Sequence, residues 1–320
     1  MNVGKLVKFF RYLSFKTGFL IPAKKVVTTK FNKEEGNNLI FNELKKEKPV
    51  MICRLGTSEA NVLAAYTFLE NYKSLSFLSR IKTMYYSGVF EWSEKTITGI
   101  TRNAGFFPNT INEIEKFAQF FGECFSMADI LGVWGIDFEA DTIDFYNKDV
   151  KTIPLRSIEP YYFDDPWSKA LKGKKILIIH PFADTIKKQY EKRENIFKKE
   201  VLPEFELLTI KAVQSAAYEK CEFPTWFNAY EWMCSEIDKK EFDVAIIGAG
   251  AYGLPLAAYI KKMGKQAIHM GGSTQILFGI KGKRWENHEF ISKLFNEHWV
   301  YPSKEEVPMK AEIVEGGCYW

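Results

Sequence analysis

Residues 242–264, FDVAIIGAGAYGLPLAAYIKKMG, decide how this chain folds. Val244, Ala245, Ile246 and Ile247 form an apolar, mostly β-branched run, the composition of a strand covered on both faces. Gly248, Gly250 and Gly253 follow with the spacing G-x-G-x-x-G, and an amphipathic helix comes next. Such glycines let the backbone turn tightly and let a diphosphate approach the N–H groups and positive dipole at the helix start. Close packing of strand against helix is the other use of the same glycines.

The strand that follows, 266–270, separates two kinds of nucleotide. A dinucleotide fold carries an acidic residue about 20 positions on, where it holds the ribose hydroxyls. Here the strand runs into Gly271 and Gly272, and no carboxylate occurs between Asp243 and Glu286. An NAD(P)-dependent oxidoreductase is therefore the weaker alternative, and a nucleotide diphosphate the better ligand.

A chain of 320 residues that is 46% hydrophobic can bury a large α/β core. Its net charge of +4 argues against nucleic acid as a partner. Cys53, Cys124, Cys221, Cys234 and Cys318 lie far apart without a C-x-x-C pair, so neither a zinc site nor a disulfide framework is expected. Reduced thiols in the cytosol are the simplest account.

The first thirty residues hold Lys5, Lys8, Arg11, Lys16, Lys24, Lys25 and Lys30, and no acid precedes Glu34. Val3, Leu6, Val7, Phe10 and Leu13 recur at helical spacing. A basic amphipathic helix of this kind lies on an anionic membrane surface, or packs on its own domain with its lysines solvated. No apolar run approaches the roughly 20 residues that span a bilayer. The expected location is the cytoplasm, peripheral at the inner membrane face.

Beyond this segment, 1–35, the pattern divides into an N-terminal α/β lobe, 36–165, and a C-terminal nucleotide-binding lobe, 166–320. In the first, 49–55 reads as a buried strand, with Thr57 or Ser58 capping a helix over 59–70. Strand-like 83–86, helical 111–121 and strand-like 130–134 follow. The aromatic, proline-rich stretch 154–173 reads as a connector. In the second lobe, strands at 174–179, 207–210, 244–247 and 266–270 alternate with a charged helix continuing through 191–197 and a helix at 226–237. The whole predicts a Rossmann-like, doubly wound, mostly parallel sheet in two lobes.

Ligands in such sheets bind beyond the carboxyl ends of the strands, where several stretches carry chemistry. Arg54 can clamp a phosphate, and Glu59 can bind a metal ion or act as a base; a capping acid beside a paired arginine is the structural alternative. His180 and Asp184 follow the strand at 174–179. The imidazole can donate to a phosphate or accept a proton, and Asp184 can act as base or only cap the next helix. His269, Gly271, Gly272, Ser273, Thr274 and Gln275 form a second turn able to hold a phosphate or a sugar hydroxyl. Lys281, Lys283 and Arg284 crowd beside Trp285, where they can neutralise a diphosphate and stack a base, or merely meet solvent.

Taken together, RLGTSE at 54–59, HPFAD at 180–184 and the run from IGAGAYG at 247–253 through HMGGSTQILFGIKGKRW at 269–285 resemble bacterial GT-D type glycosyltransferases. The resemblance covers most of 45–320 and is strongest after residue 174. It implies transfer of a sugar from a nucleotide-diphosphate sugar to a glycan, lipid-linked or protein acceptor in bacterial surface polysaccharide or glycoprotein assembly. In that family the first motif is typically R-x-G-D-G-E, whose D-x-E acids are associated with a Mn²⁺ or Mg²⁺ ion. Here Arg54, Gly56 and Glu59 match, while Thr57 and Ser58 stand in place of the aspartate and the central glycine. One carboxylate is a poor cage for a divalent ion. Stabilising the leaving diphosphate then falls to Arg54, Lys281, Lys283, Arg284 and backbone amides. The lost aspartate also keeps open a non-catalytic nucleotide-binding protein of a polysaccharide pathway.

Overall fold

In the computed structural model, which describes residues 3–17 and 25–320, seven strands form one sheet in the order β3-β2-β1-β7-β6-β4-β5. They are β1 Val50–Arg54, β2 Ile130–Val133, β3 Lys151–Pro154, β4 Lys175–His180, β5 Glu206–Lys211, β6 Val244–Ile247 and β7 Gln266–His269. Every pairing between them is parallel. The doubly wound α/β reading is correct. Strands from the two halves of the chain meet through β1 and β7, where Val50 opposes Gln266 and Ile52 opposes Ile268.

The helices are α1 Val3–Thr17, α2 Lys33–Lys45, α3 Thr57–Ser74, α4 Phe77–Ser87, α5 Glu94–Ala104, α6 Ile111–Phe125, α7 Glu139–Tyr146, α8 Ala183–Tyr190, α9 Arg193–Ile196, α10 Trp226–Asp238, α11 Gly253–Lys262, α12 Thr274–Leu277 and α13 Lys283–Glu286. Side chains alternate along each strand, so the central strands are apolar on both faces. Met51, Cys53, Leu177, Ile179, Ala245 and Ile247 face a core completed by α3, α5, α6, α10 and α11. Val50, Ile52, Ile176, Ile178, Val244 and Ile246 face another, completed by α2, α8, α9, α12 and α13.

This layering opens the carboxyl edge of the sheet. The chain leaving β1 enters α3 on the first face, whereas the chain leaving its neighbour β7 enters α12 on the second. At β6 and β4 the same divergence recurs, with α11 on the first face and α8 on the second. Connections that part in this way leave a crevice between them.

Three local expectations need correction. Residues 83–86 are helical, inside α4, because Ser76 caps its start and Gly88, at φ 73°, terminates it in the left-handed region. Gly56, not Thr57 or Ser58, is the N-cap of α3, and so the cap residue itself makes no side-chain hydrogen bond. The charged helix does not run through 191–197. It stops at Tyr190, and Ile196 is drawn into the core, where its carbonyl accepts the Trp299 indole N–H at 2.9 Å.

The basic N-terminal helix rests on α4 through buried Val7 and through Arg11, whose guanidinium bonds the carbonyls of Tyr85 and Tyr86. Leu6, Phe9, Phe10 and Leu13 remain exposed. Lys24 of the basic segment lies outside the described residues. Among the described residues no helix is long and apolar enough to cross a membrane.

Candidate active site

Two chambers open at the carboxyl edge and share Arg54, Trp134, Gly272 and Arg284 as their common wall. The first is bounded by the start of α3, the turns after β4, β6 and β7, and the chain's last residues. Its volume, about 190 Å³, is below the roughly 300–1,000 Å³ of pockets that enclose a whole cofactor. A nucleotide-sized ligand would therefore extend beyond it. The second, about 480 Å³, lies over the ends of β1, β2 and β3 on the opposite face.

Arg54 ends β1 and lies across Gly271 of the turn after β7, where an added Cβ would touch its side chain at 3.4 Å. Its guanidinium stacks 4.6 Å from the Trp134 ring, whose indole N–H donates to the Leu55 carbonyl at 3.0 Å. Among the described residues Arg54 forms no ion pair, although its charge bears on both Glu59 and Glu159. A stacked, unpaired guanidinium is preorganised for an anion.

Glu59, in the first turn of α3, is 8% exposed and folds its carboxylate back over Gly56. Any side chain at Gly56 would overlap it. Burial pushes the Glu59 carboxyl up, opposed by its own backbone N–H and by Arg54. Thr57 is exposed, and Ser58 lies half-buried beside it on the wall of the first chamber.

His180 and His269 both line that chamber, and burial lowers each to about 3, so both rings are neutral at pH 7. Nδ1 of His180 accepts the Phe182 N–H at 3.0 Å, which leaves its proton on Nε2 as a donor. His269 stands against Gly253, where a Cβ would overlap the ring, and its Nδ1 is buried without a partner. Gln275 donates to the carbonyls of Ile280, Lys281 and Tyr319, leaving Oε1 buried and unpaired. Two buried polar atoms without a partner on cleft-lining residues, the Gln275 acceptor and a His269 ring nitrogen, call for ligand groups, since each bond left unmade costs about 1–3 kcal/mol.

The glycines divide their work. Gly250 takes φ 51° and lines the cleft, as a tight turn requires. A Cβ on Gly248 would meet His180 Cδ2 at 2.6 Å, the Gly271 carbonyl at 2.7 Å and Thr274 Oγ1 at 2.8 Å, so this glycine lets the turns after β4, β6 and β7 touch. Ser273 and Thr274 close the third turn, their hydroxyls donating to Met270 and Gly271 carbonyls at 2.9 and 2.8 Å.

Several expected residues are elsewhere. Asp184 is exposed in the first turn of α8, paired with Lys187 at 3.7 Å and Lys211 at 3.6 Å, and does not line either chamber. Nor does it cap α8, whose first N–H groups, of Asp184 and Thr185, donate to Glu306 from far along the chain at 2.9 and 3.2 Å. Lys281 sits over the rings of Phe295 and Tyr301, and Lys283 bonds the Gly316 carbonyl. Of the basic loop only Arg284 reaches the cleft, held there by Glu315. Trp285 is buried in the wall of the second chamber, so its ring is not free to stack a base in the first.

Glu159 is the carboxylate that the sequence reading missed. It lines the second chamber among Arg54, Arg156 and Ser273, and burial raises it from 4.5 to about 7 against the pull of those groups. A carboxyl raised on folding contributes stability below pH 4.5 that is lost as pH climbs through 7. Relative to Glu159→Gln, the wild type should therefore lose up to about 3 kcal/mol between pH 4 and pH 8. Denaturant melts of both proteins across that range check this; parallel profiles would show that the carboxyl is not shifted.

Among the described residues no cluster of three His, Cys, Asp or Glu is placed to hold a metal ion. Glu59 is the one carboxylate of the RLGTSE motif in the first chamber, with two neutral imidazoles, of which His180 is already bonded to the Phe182 N–H. This donor set does not by itself make a metal site.

A family model described as GT-D fold-like domain matches residues 32–277. No curated protein and no solved structure matches the chain.

Proposed function

The chain belongs to the GT-D-like family, and on that premise we propose that it is a glycosyltransferase that takes its sugar from a nucleotide-diphosphate donor. The observation that carries this reading is the convergence of Arg54, which has no ion pair among the described residues, with two glycine turns at the crevice between diverging connections. The diphosphate would lie against Gly248, Gly250, Gly271 and Gly272, with Arg54 and Arg284 taking up the charge that grows on the leaving oxygen. His180 Nε2–H would donate to the donor, Gln275 Oε1 would accept one of its hydroxyls, and the unpartnered Nδ1 of His269 would bond another. Glu59 would be the sole motif carboxylate available to a Mn²⁺ or Mg²⁺ carried in with the phosphates.

A thermal-shift panel of UDP, GDP, CDP and CMP sugars, with NADH as comparator, tests the class. A ligand that binds only the folded state raises the melting temperature, so one nucleotide sugar should raise it more than NADH does. Binding of NADH alone would return the chain to the oxidoreductases, and donor binding with no transfer or hydrolysis would make it a non-catalytic nucleotide-binding protein. Because one carboxylate contributes little to a cage, removing Mn²⁺ with EDTA should weaken donor binding by less than about tenfold, about 1.4 kcal/mol. A larger loss would give the metal a stronger hold than Glu59 provides.

The acceptor side of the reading is a glycan or lipid-linked saccharide at the inner membrane face in surface polysaccharide or glycoprotein assembly. Exposed Leu6, Phe9, Phe10 and Leu13 beside Lys5, Lys8 and Lys16 support a helix lying on anionic lipid. The full chain should float with anionic vesicles in a density gradient, and a chain lacking residues 1–30 should not. Equal flotation of the two would remove this placement.

A further inference from the structure

The second chamber has no role in holding the donor as described, yet it is the larger of the two and touches the first along Arg54. Two cations at its edge, Lys33 and Arg156, form no ion pair among the described residues. Arg156 is steadied by the Tyr162 ring, 5.2 Å from its guanidinium. Facing them is Glu159, which stands beside Ser273 on the turn proposed for the diphosphate and beside Arg54, one of the residues common to both chambers. A lone carboxylate set between an anion-binding rim and the bond to be broken has the position a base requires.

We propose, on the strength of the glycosyltransferase reading, that the second chamber binds the acceptor, a hydroxyl compound carrying a phosphate or similar anion, and that Glu159 takes the proton from its hydroxyl. The acceptor oxygen forms the bond to the anomeric carbon while the bond from that carbon to the diphosphate oxygen breaks. The electron pair leaves with the diphosphate, and the hydroxyl proton passes to the Glu159 carboxylate. Lys33 and Arg156 hold the acceptor's anion.

Burial keeps Glu159 near the pH at which it must exchange a proton, about 7. The charged and titratable groups around it are Arg54, Arg156, Tyr161 and Tyr162, with Lys33, Arg284 and His288 across the chamber. His288 is the histidine that lines this chamber, so it is replaced in parallel.

The test follows nucleoside diphosphate release from the donor that the thermal-shift panel selects, with water, methyl glucoside, glucose 1-phosphate and octyl glucosyl phosphate as acceptor probes. Release in Glu159→Gln should fall by about 10²–10⁴-fold with donor affinity unchanged. The wild-type rate should rise through about pH 7, a limb lost in Glu159→Gln and kept in His288→Asn. Lys33→Ala and Arg156→Ala should raise KM for the two phosphate-bearing probes without raising it for methyl glucoside. Preference between those two probes distinguishes a soluble from a lipid-borne acceptor.

Release in Glu159→Gln within threefold of wild type, or a pH limb that disappears with His288 instead, overturns the assignment. A KM unaffected by Lys33 and Arg156 overturns the anionic acceptor. A wild-type protein that binds no nucleotide sugar and releases no diphosphate removes the glycosyltransferase reading itself, and this inference falls with it.

Discussion

Arg54→Ala is expected to lower kcat/KM for sugar transfer by about 10²–10³-fold, the usual loss when one preorganised charge-stabilising group is removed. Its guanidinium is one of two cations that the chambers share and, unlike Arg284, it has no carboxylate paired with it among the described residues; it is stacked on Trp134. Removing it breaks no ion pair among the described residues but withdraws the positive charge that bears on buried Glu59 and Glu159, so the melting temperature should fall modestly above pH 7 while the donor-induced rise in that temperature is lost. Arg54→Lys should recover only a small part, because an ammonium neither stacks flat on the indole nor bonds a phosphate in bidentate fashion. The substitution also has a signature in pH. Arg54 now draws the Glu159 carboxyl down, so without it that carboxyl should rise above about 7 and the residual rate should reach its plateau at higher pH. An unchanged donor-induced shift in Arg54→Ala would place the diphosphate elsewhere.

The second large effect is on the scaffold. In Gly248→Ala the new methyl meets the His180 ring, the Gly271 carbonyl and the Thr274 hydroxyl, all under 3.0 Å. A flexible side chain could yield, but the Gly271 oxygen is backbone in a turn already held by the Thr274 hydroxyl at 2.8 Å. Overpacking of this kind costs about 1–3 kcal/mol, which should appear as a drop of several degrees in melting temperature. The turns after β6 and β7 would be pushed apart, and donor binding should fall with stability. Gly264→Ala is the control, since a Cβ there meets nothing, although φ 82° gives it a strain of its own. If Gly248→Ala melts no lower than that control, the three turns do not touch as described.

Much of this architecture was legible because buried parallel strands announce themselves. The apolar runs ending at Arg54, His180, Ile247 and His269 each became a strand, and each strand end, or for Ile247 the glycine that follows it, became part of the cleft wall. Local signals failed where tertiary contacts compete. Residues 83–86 carry aromatic and β-branched side chains yet lie inside a helix fixed by a serine cap and a left-handed glycine. Asp184 seemed placed to cap a helix, but Glu306 took that function from more than a hundred residues away. Glu159 could not be found at all. Its stretch has no periodicity, and a carboxylate becomes unusual only when folding surrounds it with the ends of β1, β3 and β7. The basic loop misled for the opposite reason: adjacent charges in a sequence diverge in space, and only Arg284 of the three points at the cleft.

The pairing of β1 with β7 sets a timetable for synthesis. One edge of the growing sheet, β1, leaves the ribosome more than two hundred residues before the strand that must lie between it and β6. Until then both neighbours present unpaired backbone, the kind of edge on which chains associate. Insertion of this central strand joins two separate half-sheets and, in the same event, brings Arg54 against Gly271. A nascent chain interrupted before β7 should therefore be prone to aggregate and unable to bind donor, however well its first half has folded.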